Sequence, residues 1–181
     1  MKIKGKAYWT KVRKPEEWQG QPIGFSVQVQ MPEENLQRMK KYFTDKCIND
    51  VFAEKNCVGE ITLPLKILAD GKETVKVKTK HFYIDKATGK QIPKHIPVYN
   101  EYGELIPDDV AIGNGSDVEV ACNVKYFYEG QKKWGVRLYL QSMMVTNLVK
   151  YATDGSEEFE FKKRPANEDS TDEPHADEVD F

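Results

Sequence analysis

Ile23-Gly24-Phe25-Ser26-Val27-Gln28-Val29-Gln30-Met31-Pro32-Glu33-Glu34 contains a change of period that decides the fold. Up to Met31, apolar Ile23, Phe25, Val27, Val29 and Met31 alternate with Gly24, Ser26, Gln28 and Gln30. That two-residue repeat belongs to a strand with one face in a core. Pro32 then suits a first helical position, and Glu33 and Glu34 put negative charge at the positive end of a helix dipole. Leu36, Met39, Phe43, Cys47 and Val51 follow at steps of three and four. This single apolar stripe predicts a helix packed on the sheet and ended by Asn56 and Gly59, with Arg38, Lys40, Lys41 and Lys46 on its solvated side.

Strands resume beyond the helix. Residues 73–84 alternate around Val75 and Val77 and run into a turn at 85–90; Asn100-Glu101-Tyr102-Gly103 makes another. Gly113-Asn114-Gly115-Ser116 opens a long strand with Val118, Val120, Cys122, Val124 and Tyr126 on one face. After a turn at Glu129-Gly130, Val136, Leu138, Leu140, Ser142 and Met144 form the inner face of the last long strand. The pattern predicts a mainly β fold, a small five-stranded barrel with one inserted α-helix.

The length of 181 residues is one domain's worth, and 39% hydrophobic with 31% charged residues fits a soluble chain. No run approaches the roughly 18 apolar residues of a membrane span. Met1-Lys2-Ile3-Lys4-Gly5 is basic, but no apolar stretch follows, so no signal peptide is expected and the cytoplasm is the expected compartment. Cys47, Cys57 and Cys122 include no CxxC pair, and His81, His95 and His175 stand in no metal-ligand spacing. The thiols are expected to be buried or inert; neither catalytic residues nor a metal or other cofactor is expected.

A net charge of −2 conceals a division. Residues 165–181 carry seven acids (Glu168, Asp169, Asp172, Glu173, Asp177, Glu178, Asp180) and no Lys or Arg. Setting these aside leaves 22 acids against 27 bases, a net +5 over residues 1–164. The tail has too few apolar residues to offset its ordering entropy, so a domain over 1–153 followed by a disordered acidic segment over 154–181 is expected. Such segments commonly serve solubility alone. Phe181 at the last position points further: a flexible anionic lead ending in an aromatic and an α-carboxylate is a C-terminal anchor for a basic partner.

Two strands share a local pattern of lysines and an aromatic. Lys2, Lys4 and Lys6 share a face with Tyr8; Lys76, Lys78 and Lys80 share one with Phe82. Alternate lysines put ammonium groups about 7 Å apart, close to the phosphate spacing of an extended strand, though lysine rows also serve to protect sheet edges. A third cluster tips the balance. Lys125-Tyr126-Phe127-Tyr128 runs through a turn into Lys132-Lys133-Trp134, with Arg137 and Tyr139 facing outward beyond it. Aromatics interleaved with bases at a hairpin tip fit a groove that tracks phosphates through Lys78, Lys80, Lys132, Lys133 and Arg137. In it Phe82, Phe127, Tyr128, Trp134 and Tyr139 would stack on bases, with Tyr8 a further candidate. Trp9 alternates with Ile3 and Ala7 and fits the core as well as the surface.

With these residues in place, the chain resembles the single-stranded DNA-binding proteins of T-seven-like bacteriophages. The resemblance rests on Lys14-Pro15, the helix after the second strand, Gly113–Ser116, the run Arg137-Leu138-Tyr139-Leu140-Gln141-Ser142-Met143-Met144-Val145, and the acidic tail closing in Asp180-Phe181. It implies an OB-fold and sequence-independent coating of single strands during phage DNA replication, recombination and repair, in the cytoplasm of an infected bacterium. It makes Phe127 or Tyr128 a stacking residue. It also implies that Asp177, Glu178, Asp180 and Phe181 contact replisome proteins, namely DNA polymerase and helicase-primase, and compete with DNA. A tail lying in a neighbour's groove would make a homodimer, an arrangement the sequence leaves open. Single-stranded RNA binding, an RNA-chaperone role and a pure protein-interaction module are the alternatives from residues alone.

Overall fold

The computed structural model describes residues 1–150; the expected 153/154 boundary, the acidic segment and Phe181 lie outside the described residues. In chain order the elements are β1 (Lys2–Trp18), β2 (Gln21–Gln30), α1 (Glu33–Lys46), β3 (Leu65–Ile67), β4 (Glu73–Thr79), β5 (Phe82–Ile84), β6 (Gln91–Pro93), β7 (Val98–Asn100), β8 (Asp117–Tyr128) and β9 (Trp134–Asn147). Seven strands form one sheet in the order β3-β4-β2-β1-β8-β9-β7, and β5 pairs with β6 apart from it. The five long strands within it run β4-β2-β1-β8-β9. Closing the barrel would require a β4–β9 ladder, and the sheet is not closed there. This is the partly open, five-stranded arrangement of an OB-type fold.

The seam between β4 and β9 is spanned by other means. At one end Thr62 N donates to Trp134 O (3.0 Å) and Val136 N donates to Thr62 O (2.9 Å), while Lys76 N donates to Pro64 O (2.8 Å). The stretch 62–64 thus bonds to both strands. At the other end the Lys94 ammonium donates to Thr79 Oγ1 (2.9 Å) and to Leu140 O (3.3 Å), and burial pushes its pKa below the ordinary lysine value. Gly135 makes the first bridge feasible. Its φ of 147° disfavours any side chain, and a Cβ there would overlap the Thr62 carbonyl.

Inside the barrel, Ile3, Ala7, Phe25, Val27, Val29, Val75, Val77, Val118, Val120, Leu138 and Leu140 are buried, and α1 contributes Leu36, Met39 and Phe43. Each large aliphatic or aromatic side chain so buried stabilises the fold by about 1.5–3 kcal/mol relative to exposure. The period-two reading of β2, β4 and β8 thus corresponds to the core face.

Three departures from simple periodicity have local causes. Pro32 precedes α1 by one residue, and the helix ends in a π-turn over Cys47–Val51, with Phe52 N donating to Cys47 O (2.9 Å). The wider turn rotates the stripe, so Phe52 is buried and Val51 is not. In β1, Tyr8 pairs with Gln28 but Lys11 with Ser26, a bulge of one residue. Trp9 takes φ 50° there, its N–H bonded to Asn114 Oδ1, and its ring is 57% exposed rather than in the core. In β9 an extra residue opposite Ala121/Cys122 shifts the phase. Met143 and Val145 therefore face inward where Ser142 and Met144 were expected.

Gly135→Ala should destabilise the domain by about 1–3 kcal/mol, the scale of a strained backbone position. The measurement is the urea unfolding midpoint, which should fall without a change in strand content by circular dichroism.

Candidate nucleic-acid interface

Cross-strand pairing aligns the outward residues of β1, β2 and β4 in rows. Tyr8 stands opposite Gln28, which stands opposite Lys76; Lys11 stands opposite Ser26, which stands opposite Lys78. Directly paired residues share a face, so these rows lie on the outer surface, backing the buried row of Val27 and Val77. Beside them the open seam forms a groove of about 460 Å³ lined by Lys76, Lys78, Lys80, Arg137, Tyr139 and Ile23. It continues along the 62–66 stretch, again past Lys76, Lys78 and Arg137. Gly24, at the floor of the groove, lets β2 lie close to the end of β4, because a Cβ at its φ of 152° would overlap the Thr79 carbonyl.

Four of the residues expected in the site meet here: Lys78, Lys80, Arg137 and Tyr139. Two more adjoin it. The Lys80 ammonium lies 5.5 Å from the Phe82 ring centre, and the Arg137 guanidinium lies 3.8 Å from that of Phe127. Arg137 also bonds Glu129 Oε1 (2.6 Å), and Lys133 pairs with Glu129 Oε2 (2.6 Å). These two bonds hold the Glu129 carboxyl below the usual carboxylate range. Lys132 is exposed at the hairpin tip and, among the described residues, has no ion pair. Tyr8 is half-buried in the outer row two strands from Lys76.

Two expected residues are placed elsewhere. Trp134 is 5% exposed: it shares the parity of Val136 and Leu138, packs edge-on to Phe52 with centres 5.6 Å apart, and donates Nε1–H to Val58 O (3.4 Å). It is a core residue and has no free face for a base. Tyr128 points to the opposite side of β8 from Phe127, lies 6.1 Å from Phe52 and carries Lys55 over its ring at 5.5 Å. It is exposed, but outside the groove.

The two lysine rows also part company. On β1, Lys2 and Lys4 flank Glu119 (2.5 and 2.9 Å), and Lys6 pairs with Asp117 (3.2 Å). Their hydrogen bonds hold the Glu119 carboxyl low, and the row is a cross-strand ion ladder tying β1 to β8. On β4 only Lys76 has an acid in reach, Glu16 at 4.0 Å; among the described residues Lys78 and Lys80 have none. Sequence parity missed that the Trp9 bulge moves Lys11 onto the same outer face as Lys78, two strands away. It also missed Ile23, half-exposed beside the seam instead of buried.

Among the described residues no group of three His, Cys, Asp or Glu side chains could hold a metal ion, and no helix is long and apolar enough to cross a membrane. Cys47 and Cys122 are buried, which raises their thiol pKa values.

The open OB-type barrel is a fold shared with solved single-stranded DNA-binding proteins of bacteriophages. The chain is similar to gp2.5, a single-stranded DNA binding protein encoded by bacteriophage T7, with TM-score 0.68 and 21% identity over 85% of this chain and 94% of that one. It is also similar to the single-stranded DNA-binding protein of bacteriophage Enc34 in complex with single-stranded DNA, with TM-score 0.56 and 13% identity over 82% and 86% of the two chains. The Enc34 protein alone gives TM-score 0.55 and 14% identity over 87% and 88%. No family model matches the chain, and no curated protein matches it by sequence.

Trp134→Ala should cost about 3–5 kcal/mol of stability, the range for emptying a buried aromatic site. Chemical denaturation should show the loss, while Trp134→Phe should keep most of the stability and leave oligonucleotide binding intact.

Proposed function

We propose that this chain binds single-stranded DNA without sequence preference and without catalysis, coating exposed strands during phage DNA replication, recombination and repair. The observation that carries this reading is the convergence of Lys76, Lys78, Lys80 and Arg137 with Tyr139 on one open seam, where Lys78 and Lys80 have no acid partner among the described residues. The similarity in fold to phage proteins named for binding single-stranded DNA supports it.

The mechanism is an exchange of ions. Lys76, Lys78, Lys80 and Arg137 take the place of cations condensed on the phosphates, so affinity falls steeply as salt rises. Tyr139 and Phe82 offer ring faces on which any base can stack. Phe127 already lies beneath the Arg137 guanidinium, which can itself stack on a base. A single strand can splay its bases toward these faces, whereas a paired duplex hides them.

In this reading the acidic segment competes with DNA for the groove. Once displaced, it presents Asp177, Glu178, Asp180 and Phe181 to replisome proteins, DNA polymerase and helicase-primase among them. Its support is charge complementarity between seven acids in residues 165–181 and a net +5 over residues 1–164.

Titration of single-stranded DNA, RNA and duplex across a salt series tests the function; binding that is absent or independent of salt would overturn it. Tyr139→Ala should weaken single-strand binding by about 1–3 kcal/mol. Lys78→Gln should lower the salt slope by about one. Removing residues 165–181 should tighten binding at low salt, with the difference fading as salt screens the segment.

A further inference from the structure

The seam contains one carboxylate among its bases. Glu16, on β1 opposite Gly24, lines the same groove as Lys78, Arg137 and Tyr139, with its side chain 40% exposed. One of its oxygens, Oε2, accepts from Ser26 Oγ (3.4 Å) and lies 4.0 Å from the Lys76 ammonium. The other, Oε1, has no hydrogen bond or ion pair among the described residues. In a site whose task is to hold polyanions, an acid lowers affinity for every phosphate unless it also makes a favourable contact with something bound there.

We propose that Glu16 is a base-reading residue: its free oxygen accepts a hydrogen bond from the exocyclic amine of a nucleobase, giving the groove a preference for amino-bearing bases over thymine. The proposal rests on the single-strand-binding reading above and adds to it a departure from full sequence tolerance. A carboxylate can only accept. It suits cytosine N4–H2, adenine N6–H2 or guanine N2–H2, whereas thymine offers only N3–H, flanked on both sides by carbonyl oxygens that repel the carboxylate.

The surroundings suit one nucleotide. A groove of about 460 Å³ falls within the range of small-ligand sites. Phosphate would sit at the Lys78, Lys80 and Arg137 side. Ile23, 51% exposed, and the ring of Tyr139 supply apolar surface for the base. Ser26 and Lys76 fix the carboxylate from the sheet side, so that it is already oriented when a strand arrives.

The test compares oligo-dC with oligo-dT of equal length, two weakly stacked pyrimidine strands, at fixed salt and pH 7.5, using the full chain and Glu16→Gln. The full chain should bind dC about five- to tenfold tighter than dT, the lower range for a directed base-edge contact. Glu16→Gln, which can donate as well as accept, should tighten binding to both strands and bring the ratio close to one. Glu16→Ala should likewise level the ratio, with circular dichroism confirming the fold of each variant. Equal binding of dC and dT by the full chain would overturn the proposal. So would a preference that survives both substitutions, since Glu16 would then act only as a counter-charge to Lys76. Absence of salt-dependent binding to either strand is a different result, one that removes the single-strand reading itself.

Discussion

The missing ladder between β4 and β9 is the constraint on which the rest of the structure depends. A barrel whose last pair of strands joined by backbone hydrogen bonds would leave no groove on that side. Here the joint is made by Thr62 over Gly135, by Pro64 accepting from Lys76, and by the ammonium of Lys94 between Thr79 and Leu140. These contacts close the core against water without zipping the strands. The outer residues of β4 and β9 therefore stand apart across a channel, and side chains at Lys78 and Arg137 face one space from two strands.

Position relative to this seam decides what a lysine does. Where β1 pairs with β8, Lys4 and Lys6 sit directly across from Glu119 and Asp117, Lys2 reaches Glu119 diagonally, and all three are ion-paired within the sheet. Lys78 and Lys80 have the same alternation, but β4 faces the channel instead of an acidic strand. The same sequence device thus yields an internal ion ladder in one place and an open cationic track in the other. Surface ion pairs of the first kind contribute little to stability, so the ladder is better understood as register control for β1 on β8.

That distinction was beyond the reach of the sequence, because it depends on which strand lies next door. The alternation at residues 25–31 and 118–126 and the stripe from Leu36 to Cys47 were legible, since each is a local consequence of burying one face. Three further features could not be read, because each inserts one residue into a regular repeat. The π-turn exchanges Val51 for Phe52, the Trp9 bulge brings Lys11 to the outer face of the sheet, and the β9 irregularity exchanges Met144 for Met143. Trp134 is a different case. Its parity with Val136 and Leu138 is legible, but its place directly after Lys132-Lys133 at the hairpin tip points to the surface instead. What buries it is the stretch holding Phe52 and Val58, far away in sequence.

Arg137 shows how the free groove is already occupied by its own contacts. Its guanidinium covers Phe127 and shares Glu129 with Lys133. A phosphate arriving at Arg137 must compete with a carboxylate, and a base seeking Phe127 must displace the cation or stack on it. Binding at this end is therefore a replacement of one charge-assisted hydrogen bond by another, with small net enthalpy and a gain dominated by released counterions. At the β4 end Lys78 and Lys80 have no acid partner among the described residues, so no carboxylate of the barrel has to be replaced there. The groove is thus graded: a strand can be captured first by Lys78 and Lys80 and then engage the hairpin, where the Phe127 ring is uncovered only as Arg137 changes partners.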